Sequence, residues 1–184
     1  MEEKRIVVVL ADGFEEIEAL SPIDMLRRAG AHVTVAGLGK KVIVSSHRVT
    51  FVADAIFEQV AGLDWDGIIL PGGGKGAEHL SQSESVLTTS VRLFAEGKLV
   101  AAICAAPAVV LGASGILEGR QVTCFPGADK AAPAIAFDHS RRVIADGNLI
   151  TSQGAGTALD FAMEIVGYLY GPEAEKALKD RIVY

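Results

Sequence analysis

The chain has 184 residues, half of them hydrophobic, and a formal net charge of −6 at pH 7. This length can bury one core of ordinary size, so we predict a single domain over residues 1–184. The negative charge argues against nucleic acid or an anionic membrane as the main partner, because both select basic surfaces. No apolar run approaches the roughly 18 residues of a membrane-spanning helix, no cleavable signal pattern is visible, and two cysteines make no disulfide framework. We therefore expect a cytoplasmic location.

Strand and helix patterns alternate along the chain. In chain order we predict a strand at 5–11, a helix at 15–29, strands at 32–37, 41–46, 48–52 and 67–70, a helix at 83–96, a strand at 99–103, a helix at 105–113, strands at 121–125, 142–145 and 148–152, and helices at 157–170 and 172–181. The first strand is a continuous β-branched run, which is typical of strands buried on both faces. The order predicts an α/β fold with a doubly wound, mostly parallel sheet sandwiched by helices.

Three predicted strand ends carry unusual residues. They are A-D-G-F-E at 11–15, P-G-G-G at 71–74 and C-A-A-P at 104–107. In open α/β sheets, sites form beyond the carboxyl ends of the parallel strands. We therefore expect these three segments to converge on one site.

Cys104 stands where the strand at 99–103 turns sharply into the next helix. A residue at such an elbow is often held in a strained conformation with its side chain exposed to a cleft. The free N–H groups and the dipole of the following helix are expected to lower the pKa of the thiol. An inert, packed cysteine fits the same local pattern equally well, and we expect Cys124, inside a predicted strand, to be one.

Glu15, Glu16 and Glu18 open the helix at 15–29. Acidic residues in a first turn are usually solvated and complement the helix dipole. Glu18, however, is flanked by apolar residues. A buried carboxyl group has a raised pKa and can remain protonated, so it could donate a hydrogen bond or a proton to a neighbouring thiolate.

The run P-G-G-G-K-G at 71–76 is similar to the end of a phosphate-binding loop. That motif requires Ser or Thr where Gly76 stands, and Gly where Ile69 stands, so we reject a nucleotide site. We predict instead a glycine turn whose backbone N–H groups approach a substrate oxyanion. The run G-A-G-T-A-L at 154–159 is a weak dinucleotide pattern, and we expect it to give close packing at a helix start.

Four segments together resemble the ThiJ/PfpI superfamily. They are A-D-G-F-E-E-I-E at 11–18, L-P-G-G at 70–73, A-A-I-C-A-A-P at 101–107 and T-S-Q-G-A-G-T at 151–157. The similarity covers essentially the whole chain and is closest to the protein deglycase branch. It implies a flavodoxin-like sandwich, of the kind found in class I glutamine amidotransferases, that forms a homodimer. It implies no metal or organic cofactor.

The resemblance also implies roles for individual residues. Cys104 matches the oxidation-prone nucleophile, Glu18 the protonated glutamate hydrogen-bonded to it, and Glu15 a second acid of the pocket. The backbone donors around the sulfur or the substrate oxygen match Gly72, Gly73 and Ala105. The implied activities are glutathione-independent conversion of methylglyoxal to lactate and removal of glyoxal adducts from protein side chains. An oxidative-stress sensor or chaperone-like protein that uses Cys104 is the alternative.

The chain departs from the family pattern at two positions. The proteolytic branch has His directly after the cysteine, whereas this chain has Ala105, so we do not expect a Cys-His triad protease. The deglycase branch often has His near the nucleophile and just before a proline, whereas this chain has Phe125. The histidines of this chain, at no matching position, are His32, His47, His79 and His139. Proton transfer is then expected to depend mainly on Glu18 and water.

Overall fold

The computed structural model describes residues 3–184. The strands are β1 (Arg5–Leu10), β2 (His32–Gly37), β3 (Val42–Val44), β4 (Thr50–Val52), β5 (Ala55–Ile56), β6 (Gly67–Leu70), β7 (Leu99–Ile103), β8 (Val143–Asp146) and β9 (Leu149–Ser152). The helices are α1 (Glu16–Arg28), α2 (Phe57–Val60), α3 (Gly74–Ser81), α4 (Glu84–Ala95), α5 (Ala106–Val109), α6 (Ala158–Tyr170) and α7 (Pro172–Ile182). No helix among these residues is long and apolar enough to cross a bilayer.

Seven strands form one sheet in the order β5-β2-β1-β6-β7-β9-β8. All neighbours in it are parallel except β8 and β9, and β3 and β4 form a separate antiparallel hairpin. The central strands β6 and β7 are completely buried because apolar clusters cover both faces of the sheet. One cluster includes side chains of α1, α6 and α7, and the other side chains of α2, α3, α4 and α5. The predicted flavodoxin-like α/β sandwich is therefore confirmed.

One predicted strand is absent and one predicted helix is much too long, and the hairpin strands β3 and β4 are shorter than the predicted 41–46 and 48–52. Residues 121–125 form no strand, and only Val122 makes an isolated bridge, with Phe137. The backbone N–H groups of Gln121 and Thr123 donate instead to the side chains of Asp146 and Thr151, so no ladder can form. The helix predicted at 105–113 ends at Val109 and continues as irregular turns.

Three short elements were not predicted, namely β5, α2 and α3. The sequence pattern did not predict α3 because this helix begins at Gly74 and also contains Gly76, and glycine has a low helix propensity. Its position matters for the site, since it follows directly from the glycine turn after β6.

The carboxyl ends of β1, β6 and β7 converge as predicted. Glu15 N donates to Gly72 O at 3.1 Å, which joins the end of β1 to the end of β6. Cys104 N donates to Ser152 O at 2.9 Å, which joins the end of β7 to the end of β9. Backbone hydrogen bonds thus hold four strand ends together at one edge of the sheet.

Candidate active site

Cys104 occupies a strained elbow directly after β7. Its φ is 65°, in the left-handed region that non-glycine residues rarely adopt, at a cost of roughly 1–3 kcal/mol. The conformation is held from both sides, because Cys104 N donates to Ser152 O and Phe125 N donates to Cys104 O at 2.8 Å. Cys104 is partly exposed, whereas Cys124 is completely buried. The elbow expected from the sequence is therefore present.

Glu18 lies on the first turn of α1 and is only 1% exposed. Its Oε2 accepts a hydrogen bond from Gly72 N at 2.9 Å, and its carboxyl group is also hydrogen-bonded to the Cys104 thiol. Burial raises the pKa of Glu18 to about 7, although the hydrogen bonds from Cys104 and Gly72 act in the opposite direction. The expected buried carboxyl partner of Cys104 is thus in contact with the sulfur.

The pKa of Cys104 differs from the sequence expectation. Burial and the nearby Glu18 charge raise it to about 12, and hydrogen bonds from Gly73 and Ala105 N–H only partly offset this. The predicted net lowering of the pKa is wrong because partial burial and the neighbouring Glu18 outweigh the N–H group of Ala105 at the start of the short helix α5.

Glu18 and Cys104 titrate as a pair. The raised pKa of Cys104 arises partly from a charged Glu18, so a proton on Glu18 removes the repulsion and allows its O–H to donate to the sulfur. Two backbone N–H groups, from Gly73 and Ala105, then face the sulfur, whereas one, from Gly72, faces the carboxyl group. A thiolate at Cys104 is therefore favoured most when Glu18 is protonated.

The glycine turn after β6 allows this close approach. A β-carbon added at Gly72 would lie 2.6 Å from Cys104 Cβ and 2.7 Å from Glu18 Oε2. One added at Gly73, where φ is 86°, would lie 2.3 Å from Gly13 O. Gly72 was expected to donate near the sulfur or the substrate oxygen, but its N–H binds Glu18 instead, while Gly73 N–H faces the sulfur as expected.

Glu15 caps α1 rather than contacting the thiol. Its Oε2 accepts from Glu18 N at 2.9 Å, and its charge contributes to the raised pKa of Glu18. Glu15, Glu16 and His47 bring potential ligand atoms within 4.8 Å of one another. Glu16 already accepts from Ser45 Oγ and from His47 N, and its Oε2 lies 2.8 Å from His47 Nδ1. These hydrogen bonds hold Glu16 and His47 together.

Phe125 lies beside the acid–thiol pair. A β-carbon added at Gly154 would lie 3.3 Å from Phe125 Cδ2 and 3.9 Å from Glu18 Oε1, so the ring and the carboxyl group both lie against Gly154. Phe125 is 51% exposed, which leaves much of its ring accessible. This chain therefore has an apolar aromatic side chain, Phe125, at the position where the deglycase branch often has a histidine.

Sequence reasoning missed Ser152 and Gly154 as parts of the site. Both belong to the segment T-S-Q-G-A-G-T, at the carboxyl end of β9. Sites in open α/β sheets form beyond the carboxyl ends of parallel strands, and β9 is one of these strands, so the same rule could have located Ser152 and Gly154. No sequence pattern predicted that His47 lies close to Glu15 and Glu16. This contact depends on how the hairpin β3–β4 folds back onto the start of α1.

A family model described as the DJ-1/PfpI family matches residues 4–167, and this match includes every residue of the site described above. The chain belongs to the DJ-1/PfpI family. The match confirms the resemblance seen in the four sequence segments.

Individual relatives agree with this assignment. The whole chain is 43% identical to the Parkinson disease protein 7 homolog of Danio rerio, across 98% of that protein. It is 32% identical to a deglycase of Pyrococcus abyssi, with 90% of the chain and 99% of the relative covered. It spans only 39% of the length of the Arabidopsis thaliana protein DJ-1 homolog B, at 43% identity over 92% of the chain. The structure of oxidized Toxoplasma gondii DJ-1 superposes with a TM-score of 0.93, at 36% identity and 98% coverage of both chains.

Proposed function

We propose that this protein is a cysteine-dependent, glutathione-independent glyoxalase and protein deglycase, acting on methylglyoxal, glyoxal and their early protein adducts. The observation that carries the proposal is the strained Cys104, with Glu18 against its sulfur and with Gly73 and Ala105 N–H groups facing it. The similarity to a named deglycase supports the same reaction class.

The reaction begins with addition to the aldehyde. The Cys104 thiolate attacks the aldehyde carbon, and the carbonyl electron pair moves to the oxygen. Backbone N–H groups at Gly73 and Ala105 stabilise that oxyanion, and the proton of Glu18 then converts it to a hydroxyl group. The product is a hemithioacetal, and Glu18 is left as a carboxylate.

Glu18 next acts as a base. Its carboxylate removes the hydrogen from the former aldehyde carbon, the electrons pass to the adjacent ketone oxygen, and that oxygen takes the proton back from Glu18 to form an enediol. Return of a proton to the former ketone carbon, with loss of the hydroxyl proton beside sulfur, gives a thioester. Water attacks this thioester, the carbon–sulfur bond breaks, and lactate leaves. A carboxyl group with a pKa of about 7 suits both directions of proton transfer at neutral pH.

The direct test is lactate formation from methylglyoxal by purified protein without glutathione. Cys104→Ala is a matched control because alanine carries the same left-handed backbone cost without the sulfur. We expect Glu18→Gln to lower kcat at least about 100-fold, which is the usual contribution of a general acid–base. Lactate formation by the wild type no faster than by Cys104→Ala would contradict the proposal.

Two further expectations remain proposals. We propose a cytoplasmic location, where both free cysteines would stay reduced. The redox-sensor alternative would use the same residue, since Cys104 is partly exposed and Cys124 is 0% exposed. The raised pKa of Cys104 makes oxidation depend on the protonation of Glu18, as catalysis does.

A further inference from the structure

The walls of the Cys104 site differ sharply in polarity. On one side lie the Glu18 carboxyl group and the N–H groups of Gly73 and Ala105. On another side lies the half-exposed ring of Phe125, seated against Gly154. Phe125 is tied to the nucleophile by its backbone, since its N–H donates to Cys104 O. The backbone of Phe125 is therefore fixed relative to Cys104, and its ring lies against Gly154.

A 2-oxoaldehyde has a polar end and a variable substituent. Its two carbonyl oxygens require hydrogen-bond donors, and the site offers them at the glycine turn, at Ala105 and at Glu18. With the dicarbonyl end bound there, the substituent on the ketone carbon is directed away from these donors. The apolar wall available to that substituent is Phe125. Contact with an aromatic ring favours another aromatic or large apolar group over a methyl group or hydrogen.

We infer that Phe125 is a specificity-determining residue that makes this site prefer 2-oxoaldehydes with an aromatic or large apolar substituent over methylglyoxal and glyoxal. The inference rests on the proposed function and adds a substrate class to it. Gly154 contributes indirectly, because a β-carbon at this position would lie 3.3 Å from the ring, so the ring would have to shift slightly.

The test compares phenylglyoxal with methylglyoxal as substrates. For each aldehyde, kcat/KM is measured for the wild type, Phe125→Ala and Phe125→Leu. We expect Phe125→Ala to lower the ratio of the two kcat/KM values about tenfold, mainly through KM for phenylglyoxal, in line with the loss of one aromatic contact. Phe125→Leu keeps an apolar side chain and is expected to fall between the wild type and Phe125→Ala.

Tyr168→Ala is the matched control. Tyr168 is also a half-exposed aromatic residue, 41% exposed, but it lines a cavity with Gly97 and Leu99 at the opposite edge of the sheet. We expect it to leave the ratio unchanged. A ratio in Phe125→Ala within twofold of the wild type, with methylglyoxal turnover retained, would overturn the inference and leave the proposed function intact.

A second readout needs no turnover. Benzaldehyde and acetaldehyde should each slow alkylation of Cys104 by iodoacetamide through reversible hemithioacetal formation. Conjugation disfavours thiol addition to benzaldehyde in every variant, so the readout is the ratio of the protecting concentrations of the two aldehydes. We expect Phe125→Ala to weaken protection by benzaldehyde about tenfold and to leave protection by acetaldehyde unchanged. Equal loss of protection for both aldehydes, or none, would overturn the role of Phe125 even if the proposed catalysis also failed. Cys124 is completely buried and so does not obscure the signal.

Discussion

Glu18 and Cys104 form a buried acid–thiol pair in which burial raises the pKa of both groups. Burial stabilises the neutral form of both groups. Each group ionises more easily when the other is protonated. The pair therefore carries one negative charge more readily than two. In the proposed mechanism this pair supplies the base and the acid, and Phe125 stands where the deglycase branch often has a histidine.

Glu18→Gln should make stability less dependent on pH. Because the pKa of Glu18 rises from 4.5 in the unfolded chain to about 7, its protonated form stabilises the fold fully below pH 4.5, and this contribution is lost as pH rises through 7. The loss amounts to about 3 kcal/mol, which the glutamine variant avoids. We expect Glu18→Gln to gain stability over the wild type at pH 8 and not at pH 4.5, measured by urea unfolding.

Glu16→Gln is a control that should change stability with the opposite pH dependence. Burial raises the pKa of Glu16, but hydrogen bonds from His47 and Ser45 outweigh it and lower the pKa to about 2. Its contribution to stability is therefore present above pH 4.5 and lost as pH falls through 2. Glu16→Gln should lose more stability at pH 6 than at pH 3. The same pH trend in both variants would contradict the pKa directions assigned to the two glutamates.

At the scale of elements, the glycine turn between β6 and α3 sets the geometry of the site. Gly73 adopts a φ of 86° and approaches the carbonyl oxygen of Gly13 where the chain leaves β1. This contact joins the ends of two neighbouring strands and directs the Gly73 N–H toward the sulfur. The neighbouring Gly74 begins α3 and has open space around it.

Gly73→Ala and Gly74→Ala should therefore behave differently. At Gly73 a methyl group is strained by the backbone and would lie 2.3 Å from Gly13 O, so we expect a loss of at least about 2 kcal/mol. At Gly74 a methyl group meets nothing within 4 Å and should leave stability unchanged or raise it by up to about 1 kcal/mol. The free energy of unfolding in urea decides between these outcomes, and equal effects would contradict the role of the turn.

Local sequence pattern predicted the long elements and the elbow, because continuous β-branched runs and helical spacing are properties of neighbouring residues. It failed at residues 121–125, where Thr123 N bonds to a side chain of β9 rather than to a strand. It also failed for the pKa of Cys104, which depends on burial and on Glu18, a residue distant in the chain. Ser152 and Phe125 hold the elbow through their backbones, and side-chain patterns give no signal for such contacts.

At the scale of the whole molecule, exposed apolar side chains lie on α1, on the hairpin β3–β4 and on α6. Ile17 and Leu20 on α1 are 53% and 43% exposed, Val52 on the hairpin β3–β4 is 75% exposed, and Leu159 on α6 is 36% exposed. Helix α1 packs against α6, and the hairpin contacts the start of α1 through the rings of Phe14 and Phe51, whose centroids are 5.2 Å apart. We propose that a second copy of the chain covers these side chains, as the family resemblance implies, because exposed apolar surface favours association.

Ile17→Glu should convert such a homodimer to a monomer. A charge in the centre of an apolar interface has to be desolvated without a partner, so association should weaken by more than 100-fold. Sedimentation velocity measures the outcome. Val91→Glu, which places the same charge at a 41% exposed valine on α4, should leave the sedimentation coefficient unchanged. A wild-type protein that sediments as a monomer would contradict the proposal.

The elbow at Cys104 is completed by parts of the chain that are synthesised after it. The groups that hold its backbone, Ser152 O and Phe125 N, both follow Cys104 in the chain. In the sheet β7 lies between β6, which is synthesised before it, and β9, which is synthesised after it. A nascent chain that has not yet released β9 from the ribosome therefore lacks the hydrogen bond from Cys104 N to Ser152 O. A prematurely terminated chain would contain Cys104 without the complete elbow on which the proposed function depends.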